Sequence, residues 1–370
     1  MQLEIKSRAI CLRKMQKAEN RKQKAENKRQ KVEKKSHPIT LPSSYYVKIG
    51  EEGEDMTFDM KKWTAPVNAL FAAALTVFIY YISAQSVGAV RLLLYFPLTT
   101  LFVVQGIYWT GAAGVLSVAA IAALFGVEVG VSMALHLLVI SFIIGMMIKR
   151  NAALFHEIVF PALLFAALSV LLLFVQQWMT GQDVMAILRE EMQIVTQQIL
   201  ELAQQQGNLP AGSEVLIRQI FATMLNLLPA FLFIEGLLTA TVTSIFSHLV
   251  LSHTEEDVVR FSFARFQITR KISGILLVMV AVAMGLSLTV ASLAYLGANI
   301  GLGVMVLYAL HGVARIDEQL SRRHVPKVLR VILYLSSCIF VFLTFFFVLV
   351  GFLLSFLYER NTTAEGGSHE

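Results

Sequence analysis

The sequence predicts an all-α fold: a polytopic helical membrane bundle of about nine transmembrane helices with an outer amphipathic helix. Three observations carry this. Of 370 residues, 56% are hydrophobic and 15% charged, whereas soluble domains hold about half and a quarter. Nine apolar stretches recur, near 66–84, 92–108, 112–127, 129–148, 154–178, 221–247, 272–296, 298–314 and 329–357. A bilayer core of about 30 Å takes some twenty residues in helix to cross. Lipid imposes that conformation because backbone groups must be satisfied internally.

Residues 1–60 form a basic tail. Residues 1–35 carry thirteen Lys and Arg against four Glu, residues 36–55 one Lys against four acids, and the remainder is neutral, so the net charge of +6 belongs to the tail. Gln16–Asn20 and Gln23–Asn27 repeat Gln-Lys-Ala-Glu-Asn, but only Ala18, Ala25 and Val32 recur in register. A coiled-coil seam needs two large apolar positions per heptad. The readings are a solvated single helix or disordered tail, or a basic arm for anionic partners. A third is a misassigned start: Glu52-Gly53-Glu54-Asp55 before Met56 is encodable as a purine-rich ribosome-binding site, placing translation initiation at Met56.

The membrane domain spans 61–360, ahead of a polar tail at 361–370. Lys61 and Lys62 precede the first stretch, and Lys149 and Arg150 follow the fourth. By the positive-inside rule both flanks are cytoplasmic, as are the links near 260 and 320, which requires two spans between 92 and 127. Nine spans then put the C-terminus outside. The excursion 179–220 holds Arg189 and Arg218 against five acids and belongs outside. Within it Val184, Leu188, Met192, Val195, Ile199 and Leu202 draw an apolar stripe on a helix that Asp183 caps. Its Glu- and Gln-rich polar face argues for packing on the protein rather than on anionic lipid.

Small residues at four-residue spacing, Ala65, Ala69 and Ala73, then Gly126 and Gly130, then Gly297 and Gly301, mark helix-packing faces. Ionisable or polar groups within spans are expensive and mark sites. Glu235 lies mid-span, with Thr239 and Thr243 at four-residue steps; Pro229 precedes it and predicts a kink. His136 sits within the fourth stretch, Asn68 and Asn226 near helix ends, and no Lys or Arg lies in a span at the depth of Glu235. Glu235, Thr239, Asn226 and His136 are thus the ligand or proton-linked candidates. Two readings stay open for Glu235: a binding or proton-linked carboxyl, or a protonated acid hydrogen-bonded to a neighbouring helix.

Two cysteines provide neither a disulfide framework nor a thiolate metal site. No Gly-Lys-Ser/Thr phosphate loop, His-Glu-x-x-His zinc motif or nucleophile elbow occurs, and His156-Glu157 lacks the second His. The expectation is a non-enzyme with no cofactor or metal and no nucleic-acid partner.

From about Lys61 to Arg360 the chain resembles the YybS-like family of bacterial polytopic membrane proteins. The resemblance rests on Leu228-Pro229-Ala230, the run Phe263 to Arg270, His311-Gly312-Val313-Ala314 leading to Arg322-Arg323, and the closing Gly351 to Arg360. Family members carry Trp and Pro at Phe266 and Thr269, Gln at His311 and Asp at Leu354. The first helices also resemble, distantly, the substrate-binding subunits of energy-coupling-factor vitamin transporters, which implies a solute-binding bundle docked on a separate ATPase. Two functions are therefore expected: small-solute binding or transport in a bacterial cytoplasmic membrane, or a scaffold for cell-envelope or division proteins acting through cytoplasmic loops.

Overall fold

A computed structural model describes residues 64–85, 89–205, 213–254, 261–339 and 341–357. The basic tail, the Met56 start and the segment 361–370 lie outside the described residues. Twelve helices follow in order: α1 (Ala65–Gln85), α2 (Phe96–Gln105), α3 (Ile107–Phe125), α4 (Val127–Lys149), α5 (Leu154–Thr180), α6 (Val184–Gln205), α7 (Ser213–Asn226), α8 (Leu228–Leu251), α9 (Arg270–Thr289), α10 (Leu296–Arg322), α11 (Lys327–Ile339) and α12 (Val341–Leu357). Short 3₁₀ turns occupy Ala89–Leu93, Phe263–Arg265 and Ala291–Leu293, and no strand occurs among the described residues.

The helices α1, α3, α4, α5, α8, α9 and α10 are long and apolar enough to cross a membrane. Two shorter apolar stretches, Val90–Gln105 and Phe342–Leu357, occupy the remaining predicted spans. The first reaches only about 24 Å at helical rise, so the nine expected stretches are seven long helices and two shorter apolar ones. Single glycines turn α2 into α3 and α3 into α4. Gly106 and Gly126 take φ of 81° and 105°, a region closed to most residues with a Cβ.

One continuous apolar core joins α1–α5, α8 and α10, with Leu98, Leu137, Ile144, Ile158, Leu237 and Leu307 buried in it. The most extensive pairings are α10 with α12 and α5 with α8. The basic links gather at one end, where the Phe155 and Phe266 rings lie 5.6 Å apart and Ile268 N donates to His311 Nδ1 at 3.3 Å. There Asp317 accepts from Arg330 and from the Tyr334 hydroxyl, both at 2.7 Å. The opposite end carries α6 and α7.

The small-residue faces divide. Ala69 and Ala73 are buried, while Ala65 is half-buried. A Cβ on Gly130 would stand 2.5 Å from Ala122 Cβ, and one on Gly297 2.9 Å from Met284 Sδ, so both sit at tight helix crossings. At Gly301, which is half-buried, nothing lies within 4 Å of a Cβ built there, so no tight helix crossing occurs at that position.

Two helices also differ from expectation. The stretch from Phe221 is not one kinked helix; it divides at Leu227, and Pro229 lies in the first turn of α8. A proline there removes an N–H that has no intrahelical acceptor anyway. The proline inside a helix is Pro161, in α5. In α6, Asp183 caps as predicted, Oδ1 accepting from Met185 N and Ala186 N at 2.9 and 3.2 Å. Its buried residues, however, are Val184, Thr196 and Leu200, with Val195, Ile199 and Leu202 exposed. The predicted stripe jumps by three residues at Val195 and Leu202, whereas strict four-residue steps from Val184 lead to Thr196 and Leu200.

The α7–α8 junction is held from α10. Asn299 Oδ1 accepts from Ala230 N at 2.9 Å, and Nδ2 donates to the Asn226 and Tyr295 carbonyls at 2.8 and 2.9 Å. Asn299→Ala should lower the apparent melting temperature in detergent, corresponding to about 1–3 kcal/mol for stranding these groups. An unchanged midpoint would show that the junction holds without it.

Candidate functional site

Glu235 lies in the second turn of α8, and the residue after it sets its surroundings. A Cβ at Gly236 would come 2.8 Å from the Ala162 carbonyl oxygen and 3.1 Å from Phe165 Cβ, so α5 and α8 touch backbone to backbone beside the acid. Phe165 is the common wall: its ring lies 5.1 Å from that of His136 and 6.3 Å, edge-on, from that of Tyr95. His136 Nε2 lies 3.0 Å from Ser169 Oγ, and that hydroxyl donates to the Phe165 carbonyl at 2.8 Å. The Ser169 oxygen is thereby oriented to accept from a protonated Nε2.

The fifth member comes from the link between α1 and α2. The 3₁₀ turn Ala89–Leu93 packs on α1 and α8, and Tyr95 behind it is buried at 2% exposure. Ser141 Oγ donates to the Tyr95 carbonyl, and Thr99 Oγ1 to the Ser141 carbonyl, both at 3.3 Å, fixing this link against α4. Arg91 and Glu235 each act electrostatically on both the Tyr95 hydroxyl and the His136 ring. Among the described residues neither forms a direct ion pair. Arg91, exposed on its 3₁₀ turn, and Glu235, half-buried on α8, thus flank one buried tyrosine and one buried imidazole.

His136 packs on Phe165, and Gly236, next to Glu235, also abuts Phe165. Thr239, 2% exposed, continues one turn along α8, followed by Thr243, Ser244 and Ser247, all fully buried. Asn226 stands apart, exposed at the end of α7. The polar face of α8 ends at a second cluster near the basic end. There His248 Nε2 meets Glu157 Oε1 at 3.1 Å with both side chains 4% exposed, Phe261 packs on the imidazole, and Thr100 Oγ1 donates to Ser247 Oγ at 3.4 Å. Glu235 and His248 lie about 20 Å apart along the helix. Asn68 is fully buried in α1. His311, which accepts from Ile268 N, pins the link before α9 to α10.

Sequence reasoning missed Arg91, Tyr95, Ser169 and the Glu157–His248 pair. One signal was present: Arg91 is the only charged residue between Lys62 and Glu128. No group of three or more His, Cys, Asp or Glu side chains among the described residues is arranged to hold a metal ion.

Residues 69–353 match the model of the DUF2232 family, described as a predicted membrane protein. The chain belongs to the DUF2232 family. No curated protein and no solved structure matches it. The matched stretch of this DUF2232 protein contains both clusters, from Arg91 to His248, and reaches into α12. Family and helices agree on a multi-pass membrane protein in contact with the lipid bilayer.

Proposed function

We infer that this DUF2232 protein is a non-enzymatic small-solute binding bundle of the bacterial cytoplasmic membrane, with the solute held among Arg91, Tyr95, His136 and Glu235. The arrangement that supports this reading is Tyr95 and His136 packed on Phe165 beside the α5–α8 contact at Gly236, with Glu235 and Arg91 on the adjoining elements and neither in an ion pair among the described residues. An acid within a span costs about 2.5–3.5 kcal/mol even on lenient insertion scales, so keeping Glu235 without an ion-pair partner among the described residues favours a bound group that uses it. A small polar solute with an acidic and a basic or hydrogen-bonding end fits. The basic links near 150, 260 and 320 face the cytoplasm under this reading, and α6 and α7 face out. If the solute crosses at the expense of ATP, a separate ATPase subunit supplies the energy.

Mass spectrometry of small molecules released from the purified protein tests the site. A solute carried by the parent should fall about tenfold or more in Glu235→Gln at equal amounts of folded protein, consistent with loss of a charge-assisted contact. An equal load in the variant, or no load in the parent, overturns the assignment.

A scaffold for cell-envelope or division proteins is the second reading. It is favoured by the exposed arginines Arg322 and Arg323 beside a braced cluster of Arg315, Glu318, Asp317 and Arg330. Exchanging residues 321–326 for a neutral loop would release a co-purifying protein under that reading and leave solute load unchanged.

A further inference from the structure

The α6–α7 pair bears a feature that the Glu235 site does not explain. Between the two helices lies a cavity of about 320 Å³, lined by Arg189, Gln193 and Thr196 of α6 and by Arg218, Phe221 and Asn226 of α7. No acidic residue lines it. Glu214 grips Arg218 through Nε at 3.1 Å and Nη2 at 2.9 Å, which orients the guanidinium. Arg189 has no ion pair among the described residues. Arg189 can offer its planar fork to a phosphate, while Arg218, whose Nε and Nη2 are held by Glu214, has Nη1 left for a phosphate oxygen.

Leu225 and Asn226 also wall a second groove of about 260 Å³ between α5, α6 and α8, lined by Val170, Leu173, Phe174 and Leu232 and almost wholly apolar. Because α7 joins α8 through Leu227 alone, the charged cavity lies at the end of a spanning helix, where headgroups lie. The apolar groove follows α8 inward from that level. The Glu- and Gln-rich face of α6 does not suit adsorption along an anionic leaflet, but Val215, Leu216 and Ile220 on α7 and Ile194 and Val195 on α6 are exposed beside the groove, an apolar surface that an acyl chain can cover. A charged chamber that adjoins an apolar one across Leu225 and Asn226 has the polarity profile of a single amphiphile.

We propose that this DUF2232 protein binds one phosphate-bearing anionic amphiphile, its headgroup between Arg189 and Arg218 and its acyl chain in the groove between α5 and α8. The site is separate from the Arg91–Glu235 cluster and does not depend on it. The occupant comes from the bilayer leaflet at this end of the bundle. A soluble phosphate compound would use the arginines but have no need of the groove.

Native mass spectrometry of the full chain, titrated with phosphatidylglycerol, tests this. The parent should hold one lipid, and Arg189→Gln/Arg218→Gln should bind it about tenfold or more weakly. Leu173→Trp, which fills the groove, should weaken it comparably, and millimolar inorganic phosphate should not displace it. Both arginines are exposed, so the variants should keep the parent's elution and helix content; Arg189→Gln alone carries the test if the double variant does not accumulate. Unchanged lipid binding in the arginine variants overturns the proposal. So does displacement by phosphate together with an inert Leu173→Trp, which would assign the arginines to a soluble anion.

Discussion

Replacing Gly312 or Gly351 with alanine should prevent the protein from accumulating. A Cβ on Gly312 would overlap the Phe347 carbonyl oxygen and stand 2.8 Å from its carbon; one on Gly351 would overlap the Tyr308 carbonyl oxygen and stand 2.8 Å from Gly312 N. Both obstacles are backbone, so no side-chain rotation relieves them and α10 and α12 must separate. Separation breaks the buried set in which Ser273 Oγ meets Tyr308 Oη at 2.6 Å and Ser355 Oγ at 3.0 Å. It also uncovers Phe347, 1% exposed. Overpacking typically costs about 1–3 kcal/mol, and a backbone clash that parts two helices belongs at or above the top of that range. Lipid gives no hydrophobic drive to bring them back. Gly301→Ala is the control: with open space around it, it should be silent or stabilising by up to about 1 kcal/mol through helix propensity. Fluorescence-detected size exclusion of the three variants reads the difference. Normal monodisperse protein from Gly312→Ala would refute the α10–α12 contact.

The second large effect concerns Glu157 and His248. Each is nearly inaccessible, so removing one strands the other where water cannot reach it. Glu157→Leu or His248→Leu should each cost about 3–5 kcal/mol, and Glu157→Leu/His248→Leu should recover most of that loss. Thermal unfolding in detergent, run as a double-mutant cycle, measures the coupling. Additive losses would mean that the pair contributes nothing as a pair.

These contacts show where the sequence was legible. Composition and run length exposed the bundle because lipid leaves the backbone few alternatives. Glu235 was legible because an acid in an apolar run has no ordinary explanation. Arg91 was not, since it precedes a short apolar stretch and looks like a link; only packing of the 3₁₀ turn against α8 brings its charge to His136 and Tyr95. Spacing found Gly297 but also Gly301, which faces open space, because a four-residue repeat fixes a face and not its neighbour. Gly312 and Gly351 stand in different helices, and no local period relates them. Glu157 and His248 lie near helix ends, where charge is unremarkable, and their burial comes from the α5–α8 crossing. Pro229 was read as a kink because the apolar run from Phe221 hides the break at Leu227.

Under the proposed function Arg91 and Glu235 serve one bound group as a unit. Solute load per folded protein, measured by mass spectrometry in Arg91→Gln, Glu235→Gln and the double variant, tests it most directly. If both charges hold the same solute, either single change should remove most of the load and the double change should cost little more, the non-additivity expected of groups acting together. Independent multiplicative losses, or a load that survives Arg91→Gln intact, would contradict the account.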